Sequence, residues 1–247
     1  MTKAKVRTTT LLVIATIVAF MMIFSGSANA MTNSMQEVES EIITSVANHE
    51  EAIDVSEYDL TANELVEIQH DIYYQHPEAF FVESFNYTTI NGQAAKCKPN
   101  YTMSKKAAAK SNKKMNRVAR KCKVRGSKAN RVKKIHNWLI KRTKYDTKAK
   151  NAQRYNAYGA LVNKNAVCMG YSMAFKMIAE NNGIKAKVVM NKKGTHAWNV
   201  VQIGSKWYNV DVTHDDMGKK ASTKKLLVSD KKVGKHTGPK CKKNFKW

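Results

Sequence analysis

The sequence predicts an α+β fold, and three observations carry that expectation. Apolar residues recur at helical spacing early in the chain, as in Val38, Ile42, Ile43 and Val46. Three β-rich runs, AKVVM, HAWNVVQI and WYNVDVT, follow one another between positions 186 and 213. No internal repeat or low-complexity linker interrupts the order of helices and a strand, then helices and a sheet.

The first thirty residues are expected to be a targeting segment. Lys3, Lys5 and Arg7 precede an apolar run from Leu11 to Phe24, and Ala28-Asn29-Ala30 has the small-x-small pattern of a signal-peptide cleavage site. The run is shorter than the roughly 20 residues that span a bilayer. The expectation is therefore a secreted or envelope-associated protein with no stable membrane span after cleavage. Removing residues 1–30 leaves 217, enough to bury a substantial core. The expected organisation is an acidic N-terminal segment with a basic connector helix over 31–125 and a catalytic domain over 126–247.

Within the first part, Thr61-Ala62-Asn63-Glu64 has the form of a capping box, and Leu65, Ile68 and Ile72 share a face behind it. Pro77 stops that helix, and AFFVESFNYTTI reads as a strand or a hairpin. From Ser104 to Lys121 helix propensity is high, with a weak apolar face through Ala108, Met115 and Val118, which reads as a connector. After the break at Gly126, Ser127 is placed to cap a helix that turns Val132, Ile135 and Leu139 inward. A further helix is expected from about Cys168 to Asn182, ending at Gly183, with Phe175 and Ile178 on its apolar side.

Charge divides the chain sharply. Residues 31–95 hold 13 Asp and Glu and no Lys or Arg, whereas residues 96–247 hold 40 Lys and Arg and 6 acids. Either the acidic part lies on the basic part and offsets its self-repulsion, or the basic part faces an external polyanion. In the first case the acidic segment could also cover the catalytic part and limit access to it. In the second, an anionic cell-wall polymer fits better than nucleic acid, because the cations are mostly Lys and the chain is expected to be exported.

The chemistry centres on AVCMGYSMAF, where Cys168 stands at the expected start of a helix. A thiol there feels the positive end of the helix dipole and free backbone amides, both of which favour the thiolate. His196 and Asp211 lie in two β-rich runs joined at Gly204-Ser205. A two-residue hairpin loop would oppose Ile203 to Lys206 and put His196, Trp198, Asp211 and Thr213 on one face, with His196 and Asp211 diagonal neighbours. A three-residue loop would send Asp211 to the other face. With the first register, a helix-borne Cys meets a sheet-borne His oriented by an Asp, the logic of a thiol acyl-transfer enzyme.

Cys97, Cys122 and Cys241 remain. A Cys97 to Cys122 bridge would close a moderate loop, although three cysteines leave at least one free or paired between molecules. No Cys-x-x-Cys, paired His at ligand spacing or Asp-x-Asp-x-Asp-Gly loop is present, so neither a metal nor another cofactor is expected.

The runs YNAYGALVNKNAVCMGYSMAF and GTHAWNVVQIGSKWYNVDVTHDD, with the preceding RVKKIHNWLIKRTKYD helix, resemble the core of the bacterial transglutaminase-like superfamily. The resemblance covers roughly Lys128 to His214. It implies a papain-like fold, with Cys168 as nucleophile, His196 as general base and acid, and Asp211 as orienting carboxylate. YDLTANELVEIQHDIYYQHPEAFFV and KKLLVSDKKVGKH also resemble the flanking regions of secreted members. The family's Thr-Trp-Asp-Asp run reads Thr-His-Asp-Asp here, so His214 alters the expected wall of the substrate cleft. An oxyanion hole needs donors besides the Cys168 amide, and Tyr158 or the Trp198 indole are the residues placed to supply one. Three functions fit: a transglutaminase acting on a glutamine carboxamide of a protein or peptide, a cysteine peptidase or deamidase with the same triad, and a non-catalytic wall-binding module.

Overall fold

The computed structural model describes residues 33–148, 152–216 and 221–230. The expected leader at 1–30, Cys241 and the end of the KKLLVSDKKVGKH run lie outside the described residues. In chain order the elements are α1 (Asn33–Asn48), β1 (Ile53–Asp54), α2 (Ala62–Gln75), β2 (Val82–Ile90), β3 (Gln93–Tyr101), α3 (Lys105–Ala119) and α4 (Lys128–Arg142). Then come β4 (Lys144–Tyr145), β5 (Asn165–Ala166), α5 (Cys168–Asn181), β6 (Ala186–Met190), β7 (Ala197–Ile203), β8 (Lys206–Val210), α6 (Val212–Asp216) and β9 (Leu226–Val228). The fold is α+β, with helices and antiparallel sheets apart from the short parallel pair β4 and β5.

Local chemistry starts the helices where the sequence expects. Thr61 and Glu64 form the reciprocal capping box of α2. Ser104 caps α3 and Ser127 caps α4, each hydroxyl accepting a backbone N–H three residues on. The expected strand around 82–90 is the first half of a hairpin whose second half, β3, is not among the sequence expectations. Its signal is Asn91-Gly92, both at positive φ (52° and 86°), the pair favoured in a two-residue hairpin turn. The strand beyond that turn is basic and polar on its outer side, which hides its alternation.

Among the described residues two large apolar cores result, with a small cluster of Val189, Trp198 and Val200 beside them. The N-terminal core joins α1, α2, β1, β2 and β3, including Ile42, Leu65, Ile68 and Phe85. The larger core surrounds α5, which is buried along eleven consecutive residues from Met169 to Ala179. Helix α3 spans both: Ala108 belongs to the first, and Met115, Val118 and Ala119 to the second. It is therefore a shared structural element rather than a connector, and the packing divides inside α3, ahead of position 126.

Cys97 and Cys122 are both free and buried, in different cores, so they form no bridge with each other. Burial pushes their thiols up, to about 12 and about 11 respectively; Gln69 bonds to the Cys97 sulfur and opposes the shift there.

The N-terminal part braces the larger core from one side. The Gln75 side-chain amide donates to the Val188 carbonyl at 2.9 Å and accepts from the Val188 N–H at 3.0 Å, satisfying the edge strand β6 as a neighbouring strand would. Beside it, His76 bonds Glu39 and Glu78, both at 2.9 Å. Charges of this group reach Lys187 on β6 and Lys176 on α5. Lys176 lies eight residues beyond Cys168, about 12 Å along the helix at ~1.5 Å per residue. The acidic segment thus holds the far part of α5 and the sheet edge.

Candidate active site

The site begins with how α5 starts. Val167, the residue before it, offers no side-chain cap, so the first-turn amides are left for other acceptors. The loop at 154–156 presses on this turn: the Val167 N–H donates to the Arg154 carbonyl at 3.0 Å. A Cβ at Gly170 would lie 2.4 Å from the Arg154 oxygen and 2.9 Å from the Asn156 oxygen. Glycine at 170 is what allows that approach. Just before it, the five-residue π-helical turn Gly159–Asn163 leaves carbonyls that Thr143 and Arg142 satisfy at Ala160 and Leu161.

His196 is positioned by the loop between β6 and β7. The Asn191 side chain accepts the backbone N–H of Thr195 at 2.8 Å and of His196 at 3.3 Å, and the Asn191 N–H donates to the His196 carbonyl. Strand β7 is fastened to α5 by Asn199, whose buried amide donates to the Ser172 carbonyl at 2.9 Å. Ser172 in turn donates to the Cys168 carbonyl at 2.9 Å.

The hairpin has the two-residue loop, with Ile203 opposite Lys206 and Asn199 opposite Val210. Strand β8 ends there, and Asp211 and Thr213 lie beyond it rather than within it: the chain turns into α6. Asp211 sits at the start of α6, where its Oδ1 accepts the His214 N–H at 2.9 Å. Its Oδ2 accepts from His196 Nε2 at 2.7 Å. The carboxylate is nearly buried, with 3 % of its side chain exposed, whereas the imidazole keeps 24 %.

The structure thus brings Cys168, His196 and Asp211 together. Burial alone would raise the Cys168 thiol. Hydrogen bonding to His196, to the Ala197 N–H and to the Met169 N–H overcomes that and holds it below its ordinary value. Burial would likewise lower His196, but Asp211 and Cys168 raise it to about 9. These opposite shifts favour a thiolate beside an imidazolium, an arrangement suited to nucleophilic attack on a carbonyl and proton return to the leaving group.

Trp198 does not supply an oxyanion donor. Its indole N–H donates to Asn209 Oδ1 at 2.8 Å, and its ring stacks on His196 with centroids 5.9 Å apart. Tyr158 stacks on Phe80 at 5.6 Å and carries Lys114 above its ring at 5.9 Å, contacts of a packing residue between the two cores. His214 turns its side chain outward and contributes its backbone to Asp211. Among the described residues, no group of three or more His, Cys, Asp or Glu side chains is arranged to hold a metal ion.

A second His–Asp pair escaped the sequence reading. His136 Nε2 lies 3.0 Å from Asp215 Oδ2, and both side chains are fully buried. Asp215 also accepts from the Ser222 hydroxyl and from the Lys225 N–H, and these bonds outweigh burial to hold its carboxyl below the usual value. The Lys225 carbonyl accepts the Asp211 N–H at 3.0 Å. Tyr171, on α5, donates to Asp216 on α6. Helix α6 is therefore bonded to α4, to α5 and to the following loop, and Asp211 heads it. The available signal was His136 at i+4 from Val132 and i+1 from Ile135, on an otherwise apolar helix face.

Residues 114–212 match the model of the transglutaminase-like superfamily. No curated protein matches the sequence. Among solved structures, a TGase is 16% identical with a TM-score of 0.40, covering 64% of this chain and 50% of its own. A cysteine protease candidate from Cytophaga hutchinsonii is 16% identical with a TM-score of 0.34, covering 55% of this chain and 54% of its own. Menin is 11% identical with a TM-score of 0.39, covering 82% of this chain and 40% of its own. The chain spans about half the length of the first two, and overlaps this loose carry no functional argument. Over residues 114–212, less than half of the chain, the sequence is similar to the transglutaminase-like superfamily.

Proposed function

We propose that the protein is a thiol acyl-transfer enzyme in which Cys168, His196 and Asp211 are the catalytic residues. The observation that carries this reading is the 2.7 Å bond between His196 and Asp211 beside a thiol held below its ordinary pKa. The Cys168 thiolate attacks the carbonyl carbon of a glutamine carboxamide in a protein or peptide. The C–N bond breaks as the His196 imidazolium gives its proton to the departing ammonia, leaving a thioester. Neutral His196 then takes a proton from the incoming nucleophile, and the thiolate leaves. A primary amine as nucleophile yields a crosslink, and water yields the free acid. The same steps on a backbone amide would make the protein a cysteine peptidase.

The leader pattern at 1–30 supports export and action at the cell envelope. Incubation of purified protein with a glutamine-bearing peptide, with and without a primary amine, tests the chemistry. Ammonia release with amine incorporation, both lost in Cys168→Ala, is the expected result. Peptide-bond cleavage without ammonia would replace this reading with the peptidase, and no turnover with an unreactive Cys168 would leave a binding module.

A further inference from the structure

Between positions 105 and 142 the chain carries sixteen Lys and Arg residues and no Asp or Glu. Helices α3 and α4 turn their apolar residues inward, and fourteen of the cations stand exposed on the outer surface of the two helices and their connection. The other two, Arg131 and Arg142, are half-buried and donate to the carbonyls of Asn182 and Leu161. We propose that this face is a docking surface for a flexible phosphate polymer that carries no bases.

Two readings of the charge asymmetry were open, and the described structure favours the external one. Five of the thirteen N-terminal carboxylates are used elsewhere: Glu39 and Glu78 on His76, Glu41 on Tyr58, Glu64 in its capping box, and Asp71 towards Lys187. Among the described residues none of the fourteen cations is in an ion pair. Lys106, Lys110 and Lys114 follow one another at i,i+4 spacing, where like charges repel. Lys105 and Lys106 also oppose the positive end of the α3 dipole. This positive field is left uncompensated within the fold and is offset by a bound polyanion.

The composition of the face selects the polymer. Eleven of the fourteen cations are Lys, compact point charges suited to mobile phosphates rather than to bidentate base recognition. The only aromatic residue in the stretch, Trp138, is half-buried beneath the Arg142 guanidinium at 5.2 Å, so bases find no stacking platform. Among the described residues the exposed large apolar side chains are Tyr73, Ile90 and Tyr155, and they lie outside this face, so none on it inserts into lipid.

The test measures binding of the purified protein to long-chain inorganic polyphosphate across salt concentrations. Single-stranded DNA and anionic phospholipid vesicles are the competing arms. One variant combines Lys106→Gln, Lys110→Gln, Lys113→Gln and Lys133→Gln. A control variant removes four exposed cations elsewhere, Lys192→Gln, Lys193→Gln, Lys206→Gln and Lys224→Gln. The first should weaken polyphosphate binding at least tenfold and reduce the slope of log affinity against log salt by about 3, at ~0.7 per phosphate contact on a single strand. The control should change affinity less than about threefold by the same counter-ion reasoning. Equal losses in both variants would overturn the proposal in favour of diffuse charge. Tighter binding of DNA or of vesicles than of polyphosphate would overturn it in favour of a nucleic-acid or membrane surface.

Discussion

Asp211 uses its two carboxylate oxygens for two different neighbours, one capping α6 and one orienting His196. Replacing it with Asn keeps the shape but removes the charge that supports the imidazolium. Asp211→Asn should therefore lower His196 from about 9 towards its ordinary value and shift the upper limb of the pH–rate profile downward. His196→Ala should cost roughly 10²–10⁴-fold in acyl transfer by loss of proton transfer. Acylation needs both the thiolate and the imidazolium. Its rate should rise as Cys168 ionises below its ordinary range and fall near pH 9, giving a bell whose limbs belong to the coupled pair. Iodoacetamide at mildly acid pH should label Cys168 ahead of Cys97 and Cys122, whose thiols burial keeps protonated. Peptide mapping of the alkylated protein reads this directly, and equal labelling of the three would remove the case for an activated thiol. The three residues were legible in the sequence because each lies in a recognisable local frame. Asn199 was not, because its bond to the Ser172 carbonyl joins segments that only the folded chain brings together; the bonds of Asn191 and of the Ser172 hydroxyl span four or five positions but follow no distinctive sequence pattern.

At the scale of elements, the start of α5 and the placement of α6 decide whether those residues meet. Gly170→Ala would drive a Cβ to 2.4 Å from a backbone oxygen, so the 154–156 loop or the helix must move. The expected loss is about 1–3 kcal/mol, as for other overpacked sites, measured by denaturant unfolding. His136→Ala removes the partner of a fully buried carboxylate and should cost about 3–5 kcal/mol, with Cys168 labelling at low pH reduced as α6 loosens. Unfolding titrations within about 1 kcal/mol of the parent would show that the Ser222 and Lys225 donors alone suffice for Asp215. The register of the β7–β8 hairpin follows the two-residue loop at Gly204-Ser205, whereas the end of β8 before Asp211 was not read from the sequence. Alternation in WYNVDVT continues past Val210, but the helical cap at Asp211 competes with strand extension and prevails because α6 gains buried bonds to α4 and α5.

Taken as a whole, the molecule couples an acidic N-terminal part to a basic larger part through the shared helix α3 and through specific bonds at Gln75 and His76. Burial would lower His76, but Glu39 and Glu78 raise it to about 9. A histidine raised on folding contributes stability that is complete below its unfolded value near 6.5 and is lost as pH rises through about 9. Thermal unfolding followed from pH 6 to 10 should show that loss, and His76→Gln should flatten it. Deleting residues 31–95 would uncover the β6 edge and the far end of α5. It should therefore reduce stability at every ionic strength, whereas a salt-released cover would leave the larger core intact and raise Cys168 reactivity. The charge split itself was plain from composition, but which side of the larger core the acidic part occupies depends on Gln75 and His76, two residues without a distinctive sequence pattern.

By itself the sequence determined the α+β class, the capped helix starts, the division of charge and the residue types at 168, 196 and 211. These depend on interactions within a few positions or on composition, and so survive in a linear reading. The tertiary structure alone decided that Cys97 and Cys122 sit in separate cores, that Trp198 is committed to Asn209, and that His136 and Asp215 tie α6 to α4. Each of these contacts joins surfaces whose relative placement is set by long-range packing. Buried polar groups take the partners that packing leaves within reach, because unpaired burial costs more than the bond returns.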